Sequence, residues 1–171
     1  IHREENVDSP ENFSNLLQSI EGVSETFNLP IIISTHPRTR KKLEEMNYQA
    51  KNPLIRFSKP YGFHEYNKLQ KEAFCVISDS GTITEEASIL GLNAVTIRQA
   101  HERPEGMDEG TIIMSGLEKN RVLQSIHAVT SDDYPPTKMI SDYDVANVST
   151  KVLRIILSYT DYVNRTVWHK V

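Results

Sequence analysis

Short apolar runs, each too brief for a helix and rich in β-forming residues, recur along this chain at Pro30–Ser34, Leu54–Phe57, Phe74–Ile77, Asn93–Ile97 and Gly110–Met114. Stretches of helical length and periodicity separate them. Residues 10–27 carry Phe13, Leu16, Leu17, Ile20, Val23 and Phe27 on one stripe behind a Ser9-Pro10-Glu11 start, and 38–46, 63–73, 83–90 and 119–129 follow as further helices. Strand and helix in strict alternation, with short connections, predict a parallel α/β sheet with right-handed crossovers. The run Ile31-Ile32-Ile33 has no polar alternation, as expected of a strand covered on both faces. In such sheets ligands bind beyond the carboxyl ends of the strands. The polar loops at residues 2–8, 35–38, 58–62, 79–82 and 98–105 all follow predicted strands, the first of them ending near Ile1, and are expected to converge on one edge. Residues 130–142 read as loop, with Pro135-Pro136 inside. A long helix then carries Val145, Val148, Val152, Ile155, Ile156 and Tyr159, which are expected to cover the sheet.

The stretch Phe74–Leu90, FCVISDSGTITEEASIL, is the centre of the arrangement. A strand enters a helix through Asp79-Ser80-Gly81-Thr82, with Gly91 as the C-cap. The first N–H groups of such a helix lack intrahelical partners, and the positive end of its dipole lies beside them. The pattern is either a phosphate site or an ordinary N-cap closing a βα unit. Glu85 and Glu86, one turn in, are not required by any apolar repeat, and a carboxylate there is placed to accept both hydroxyls of a ribose. The stretch reads as a nucleotide site.

Composition narrows the classes. The 171 residues are 38% hydrophobic and 25% charged, which suits one folded domain, and the net charge of −4 with no basic stripe argues against nucleic-acid binding. Cys75 is the only cysteine, so disulfides and cysteine-metal sites are excluded and a reducing compartment, the cytoplasm, is expected. No apolar run reaches the roughly 18 residues of a membrane span. A first residue other than Met, inside a predicted strand, suggests a piece of a longer chain. No HExxH metal spacing, Walker loop, Gly-x-Ser-x-Gly elbow or GxGxxG fingerprint is present, and no metal is expected. His2, Arg3, Glu4 and Glu5 form either a solvated turn or a site at a strand end. His36 before Pro37 is a loop residue or a ligand, and Arg98, Glu102, Arg103 and Glu105 are an ion-paired loop or part of the cleft.

Taken together, HREEN at 2–6, His-Pro at 36–37, DSGTITEEA at 79–87 and ERPE at 102–105 resemble, in order and spacing, the carboxy-terminal half of the UDP-N-acetylglucosamine 2-epimerase family. Asn147-Val148-Ser149 and the run Tyr159–Arg165 are most similar to the branch that forms UDP-N-acetyl-L-fucosamine for capsule and O-antigen synthesis. The resemblance implies one Rossmann-like half of a glycosyltransferase-B-type fold, a parallel sheet with helices on both faces. Residues 1–160 would form the nucleotide-binding domain, and 161–171 a last helix crossing to an absent amino-terminal domain. It also implies His2 as a catalytic residue near the diphosphate and the reacting sugar. Ser80, Gly81 and Thr82 would hold phosphate and Glu86 the ribose, with Arg3, His36, Arg98, Glu102 and Arg103 completing the substrate site. Relatives commonly have a second glycine where Thr82 stands and a threonine in place of His101. The implied ligand is a UDP-N-acetyl-hexosamine, with no cofactor, in a homodimer. The implied reaction is elimination of UDP across C1–C2 and its re-addition. A glycosyltransferase of the same architecture and a non-catalytic nucleotide-binding module stand as rival readings.

Overall fold

The computed structural model describes residues 3–100, 102–133 and 139–170. It contains two compact units, Ile1–Ile140 and Ser141–Val171. In the first unit the order is α1 (Glu4–Val7), α2 (Pro10–Phe27), β1 (Ile31–Ser34), α3 (Pro37–Glu45), β2 (Ile55–Ser58), α4 (Phe63–Glu72), β3 (Val76–Ser78), α5 (Ile83–Leu90), β4 (Ala94–Thr96), α6 (Glu105–Asp108), β5 (Ile112–Met114) and α7 (Lys119–Thr130). The alternation read from the apolar runs is therefore present, with most ends moved by one or two residues. Residues 4–7, expected as loop, close one helical turn instead, and α6 adds another inside the expected loop 98–109.

All strand pairs are parallel. β1 pairs with β2 in the register Ile31–Ile55 to Ser34–Ser58, and β4 lies between β3 and β5 with Ala94 opposite Val76 and Ile112. Among the described residues the strands are ordered β1-β2 and β3-β4-β5. The strand expected to end at Ile1 lies outside the described residues.

β4 is covered on both faces. Val95 belongs to a core cluster with Phe13, Leu16 and Ile20 of α2 and Val122 and Ile126 of α7, whereas its neighbour Ala94 packs with Ile83 and Ala87 of α5. Successive side chains of a strand point to opposite faces, so helices lie on both sides. Ser9 caps α2 through Asn12 N–H at 3.3 Å and Pro10 occupies its first position, as its sequence indicates. At the end of α5, Gly91 takes φ +65°, a region that costs a residue without a Cβ little, and its N–H bonds Ala87.

α4 buries a polar side chain and exposes an apolar one. Phe63 is 78% exposed, and the side chain buried most deeply is Gln70. A carboxylate partner for that amide, described below, explains how a polar group is accommodated inside.

The second unit holds α8, Val148–Thr166. It runs unbroken past residue 160, because no Gly or Pro interrupts the segment. The second unit begins at Ser141. Within this unit Val152, Ile155, Ile156, Tyr162, Val167 and Trp168 are exposed. Among the described residues, no helix is long and apolar enough to cross a membrane.

Candidate functional site

The turn between β3 and α5 is built by its own hydroxyls. Ser78 Oγ accepts from the Ser80 N–H at 3.1 Å and so bends the chain out of the strand. Ser80 Oγ lies 3.0 Å from Thr82 Oγ1, and the Thr82 hydroxyl donates to Glu86 Oε1 at 2.6 Å. The other oxygen of that carboxylate accepts from Gln70 Nε2 at 2.6 Å. Thr82, which stands at the N-cap, is therefore turned along the helix, and no side chain caps α5. Its first-turn amides and its dipole face the open side of the turn.

A second network flanks the same turn. Asp79 is fully buried, and its Oδ2 accepts from the Arg3 N–H at 2.9 Å and from Asn6 Nδ2 at 3.4 Å. Arg3 Nη2 donates to Glu102 Oε2 at 3.1 Å, Arg103 Nη1 donates to Glu102 Oε1 at 2.8 Å, and Arg98 Nη1 pairs with Oε2 as well. Arg103 Nε reaches Glu85 Oε1 at 2.6 Å. Three guanidiniums thus meet on one carboxylate. Buried Arg98 Nε has no hydrogen-bond partner among the described residues. Arg103 sits at φ +60°, a region costly for a side-chain-bearing residue, where its bonds to Glu85 and Glu102 hold it.

Gly81 is what lets the two networks meet. A Cβ there would lie 2.6 Å from both Arg103 Nη1 and Glu102 Oε1. A cavity of about 10 Å³, room for about one water, lies beneath, lined by Ser80, Gly81, Arg98 and Glu102 among others. The Tyr66 hydroxyl is pushed above its ordinary range by burial, then by the nearby charges of Glu86 and Asp79.

Of the residues singled out from sequence, Arg3, Ser80, Gly81, Thr82, Glu86, Arg98, Glu102 and Arg103 fall within these two networks. His36 does not. It begins α3 at the carboxyl end of β1, with Nδ1 accepting from the Arg38 N–H at 3.3 Å. Arg38 in turn binds Glu4 at 2.6 Å and Asp8. His2 and His101 lie outside the described residues. Asp79 and Gln70 are part of the networks but were not assigned from sequence, and Glu85, read beside Glu86 as a carboxylate one turn into the helix, pairs with Arg103. Asp79 and Glu85 stand inside the DSGTITEEA motif, whereas nothing in the local pattern around Gln70 marks it. Among the described residues, no group of three or more His, Cys, Asp or Glu side chains is placed to hold a metal ion.

The profile of the family described as UDP-N-acetylglucosamine 2-epimerase matches residues 1–157. UDP-N-acetylglucosamine 2-epimerase of Methanococcus maripaludis is 40% identical over 129 residues, 74% of this chain and 35% of that protein. Its counterpart in Methanocaldococcus jannaschii is 37% identical over the same shares. Among solved structures, UDP-N-acetylglucosamine 2-epimerase from Rickettsia bellii is 48% identical with a TM-score of 0.77, covering 99% of this chain and 45% of that one. The Methanocaldococcus jannaschii enzyme, solved in complex with UDP-GlcNAc and UDP, is 32% identical with a TM-score of 0.79, covering 92% and 43%. The chain therefore spans roughly a third to a half of the length of these relatives. Its fold is an α/β fold of parallel sheets with helices on both faces, that of one half of a glycosyltransferase-B-type protein. With the family profile matched over 157 residues and the relatives sharing fold and sequence, this chain belongs to the UDP-N-acetylglucosamine 2-epimerase family.

Proposed function

We propose that the chain is the nucleotide-holding part of a UDP-N-acetyl-sugar 2-epimerase. The observation that carries this reading is the uncapped N-terminus of α5, flanked by Ser80, Thr82 and Glu86 on one side and by three guanidiniums on the other. The diphosphate binds over Ser80-Gly81, where backbone N–H groups and the helix dipole stabilise negative charge. Glu86 accepts the ribose hydroxyls. Arg3, Arg98, Glu102 and Arg103 line the diphosphate side, His36 stands at the rim, and the family resemblance assigns His2 a catalytic role at the diphosphate and the reacting sugar. The relative solved with UDP-GlcNAc and UDP supports that choice of ligand.

The reaction exchanges bonds without net change in composition. A base takes the C2 proton, the C2–H electron pair forms the C1=C2 double bond, and UDP leaves with the electrons of the C1–O bond. A proton then returns to the opposite face of C2, and the same UDP oxygen closes on C1. The freed diphosphate has to stay in place between the two halves of the reaction, and a preorganised anion site does this while lowering the barrier to departure. The acid and base at C2 belong to the remainder of the protein, which this chain's share of its relatives' length leaves room for. Similarity of residues 147–149 and 159–165 to the fucosamine-forming branch supports a place in capsule or O-antigen synthesis, and the lone Cys75 supports a reducing compartment such as the cytoplasm.

The test is proton NMR of the full-length protein with UDP-N-acetylglucosamine in D2O. Deuterium at C2, together with the 2-epimer, is the expected result. Sugar transfer to an acceptor with C2 undeuterated overturns the reading in favour of a glycosyltransferase. Binding of UDP with no turnover overturns it in favour of a non-catalytic module.

A further inference from the structure

The short helix α1 is bonded on two sides to turns that lie far apart in sequence. Arg3, at its start, donates from the main-chain N–H to Asp79 Oδ2 at 2.9 Å and from Nε to the Asp79 carbonyl at 3.3 Å. Asn6 Nδ2 reaches the same carboxylate at 3.4 Å. These contacts tie α1 to the turn that follows β3. On its other side α1 meets Arg38, the second residue of α3, which follows β1. Arg38 Nε donates to Asp8 Oδ1 at 3.0 Å, Nη2 donates to Asp8 Oδ2, and Nη1 donates to Glu4 Oε1 at 2.6 Å. One guanidinium thus grips both ends of a single helical turn.

The turn has little else to hold its outer side. Four residues do not repay the cost of nucleating a helix, and no side chain caps α1. Glu4 and Asp8 stand at i and i+4, where like charges disfavour helix. Asn6 and Val7, each 1% exposed, anchor the inner face, and Arg38 neutralises the outer one. Arg38 is itself fixed at the backbone. His36 Nδ1 accepts its N–H at 3.3 Å, Pro37 occupies the first position of α3, and Thr39 and Leu43 are buried.

A line of bonded groups therefore runs from the end of β1 through Arg38 and α1 to Arg3. It ends where Arg3 Nη2 donates to Glu102 Oε2 at 3.1 Å, in the cluster beside the uncapped start of α5. Single exposed ion pairs contribute little to stability. The two-pronged contact on Asp8 fixes direction as well as charge, and what it sets is the place of Arg3. We propose that Arg38 is a positioning residue for the anion site, acting through α1 on Arg3 and touching no ligand itself; that the ligand is a nucleoside diphosphate rests on the nucleotide reading.

The test uses the full-length protein and two readouts. Without ligand, Arg38→Gln should speed exchange of the Arg3 amide by about tenfold. The Val76 and Ile97 amides, bonded to Asn93 and Ser78, should keep their rates. Calorimetry with UDP should show a loss of about three- to tenfold for Arg38→Gln and for Asp8→Asn, and less than about twofold for Arg38→Gln made in an Arg3→Ala background. An unchanged Arg3 amide overturns the proposal. So does faster exchange with UDP affinity unaltered, and so do equal losses with and without the Arg3 side chain, because Arg38 then acts by another route. Asp8→Asn cuts the contact from the opposite side and decides if the Arg38 variant does not fold. If UDP does not bind the unaltered protein, the nucleotide reading fails, and the amide measurement still decides whether Arg38 sets Arg3.

Discussion

Gln70 and Glu86, on different helices, share a hydrogen bond of 2.6 Å that joins the buried side of α4 to the first turn of α5. With the Thr82 hydroxyl on its other oxygen, the Glu86 carboxylate is held from two directions before any ligand arrives. Replacing Gln70 by Leu keeps the volume and removes the bond. In the full-length protein Q70L is expected to weaken UDP about tenfold, equivalent to about 1.4 kcal/mol, and inorganic diphosphate much less, because the proposed partner of Glu86 is the ribose. Glu86→Gln should show the same asymmetry. Calorimetry with both ligands decides, and equal losses would remove Glu86 from the ribose site.

Ser80→Ala acts on the other end of the ligand. Loss of a hydroxyl bond to a charged oxygen should cost about 1–3 kcal/mol of UDP affinity, with diphosphate weakened to the same extent. An unchanged affinity for both would place the phosphates elsewhere.

Gly106 meets Thr84 at close quarters, since a Cβ on Gly106 would lie 2.1 Å from Thr84 Cγ2. Gly106→Ala should therefore destabilise the protein by about 1–3 kcal/mol through overpacking of α6 on α5. Thr84→Ser removes the clashing methyl, so the double variant should recover most of the loss in a thermal melt. Failure to recover would mean that the cost arises in the backbone of α6.

These relationships separate what was legible in the sequence from what was not. The order of strands and helices follows from apolar runs and caps, which are local signals, and the DSGTITEEA motif marked the turn before its geometry was known. Gln70 was invisible because its neighbour across space is sixteen positions away on another helix. For α8 the sequence is informative only in part, because an amphipathic stripe shows that a surface is apolar but not what lies against it.

Tyr48 offers a pH test away from the site. Its hydroxyl donates to Glu21 at 2.6 Å, and burial first and that carboxylate second raise its pKa well above the ordinary value of about 10. The folded state keeps this proton to a higher pH than the unfolded state does. The stabilisation is therefore complete below pH of about 10 and is lost as the pH rises through the folded value. Tyr48→Phe should flatten the alkaline fall in stability measured by urea unfolding, and an unchanged slope would show that the phenol titrates freely.

Trp168, the only tryptophan, is 64% exposed in this chain. If the last helix crosses to the remainder of the protein, as we propose, its emission should be red-shifted and quenched by acrylamide in the 171-residue chain and blue-shifted and protected in the full-length protein. Equal quenching in both rules the crossing out.

The meeting of Arg3, Arg98 and Arg103 on Glu102 makes anion binding an exchange and not an addition. An incoming phosphate has to displace a carboxylate that already serves these cations, so a weak or singly charged anion gains little by entering. A diphosphate, with more charge and several oxygens to offer at once, can take over the contacts together. If the diphosphate binds here as we propose, the internal carboxylate sets a threshold that favours a multiply charged anion over chloride or monophosphate.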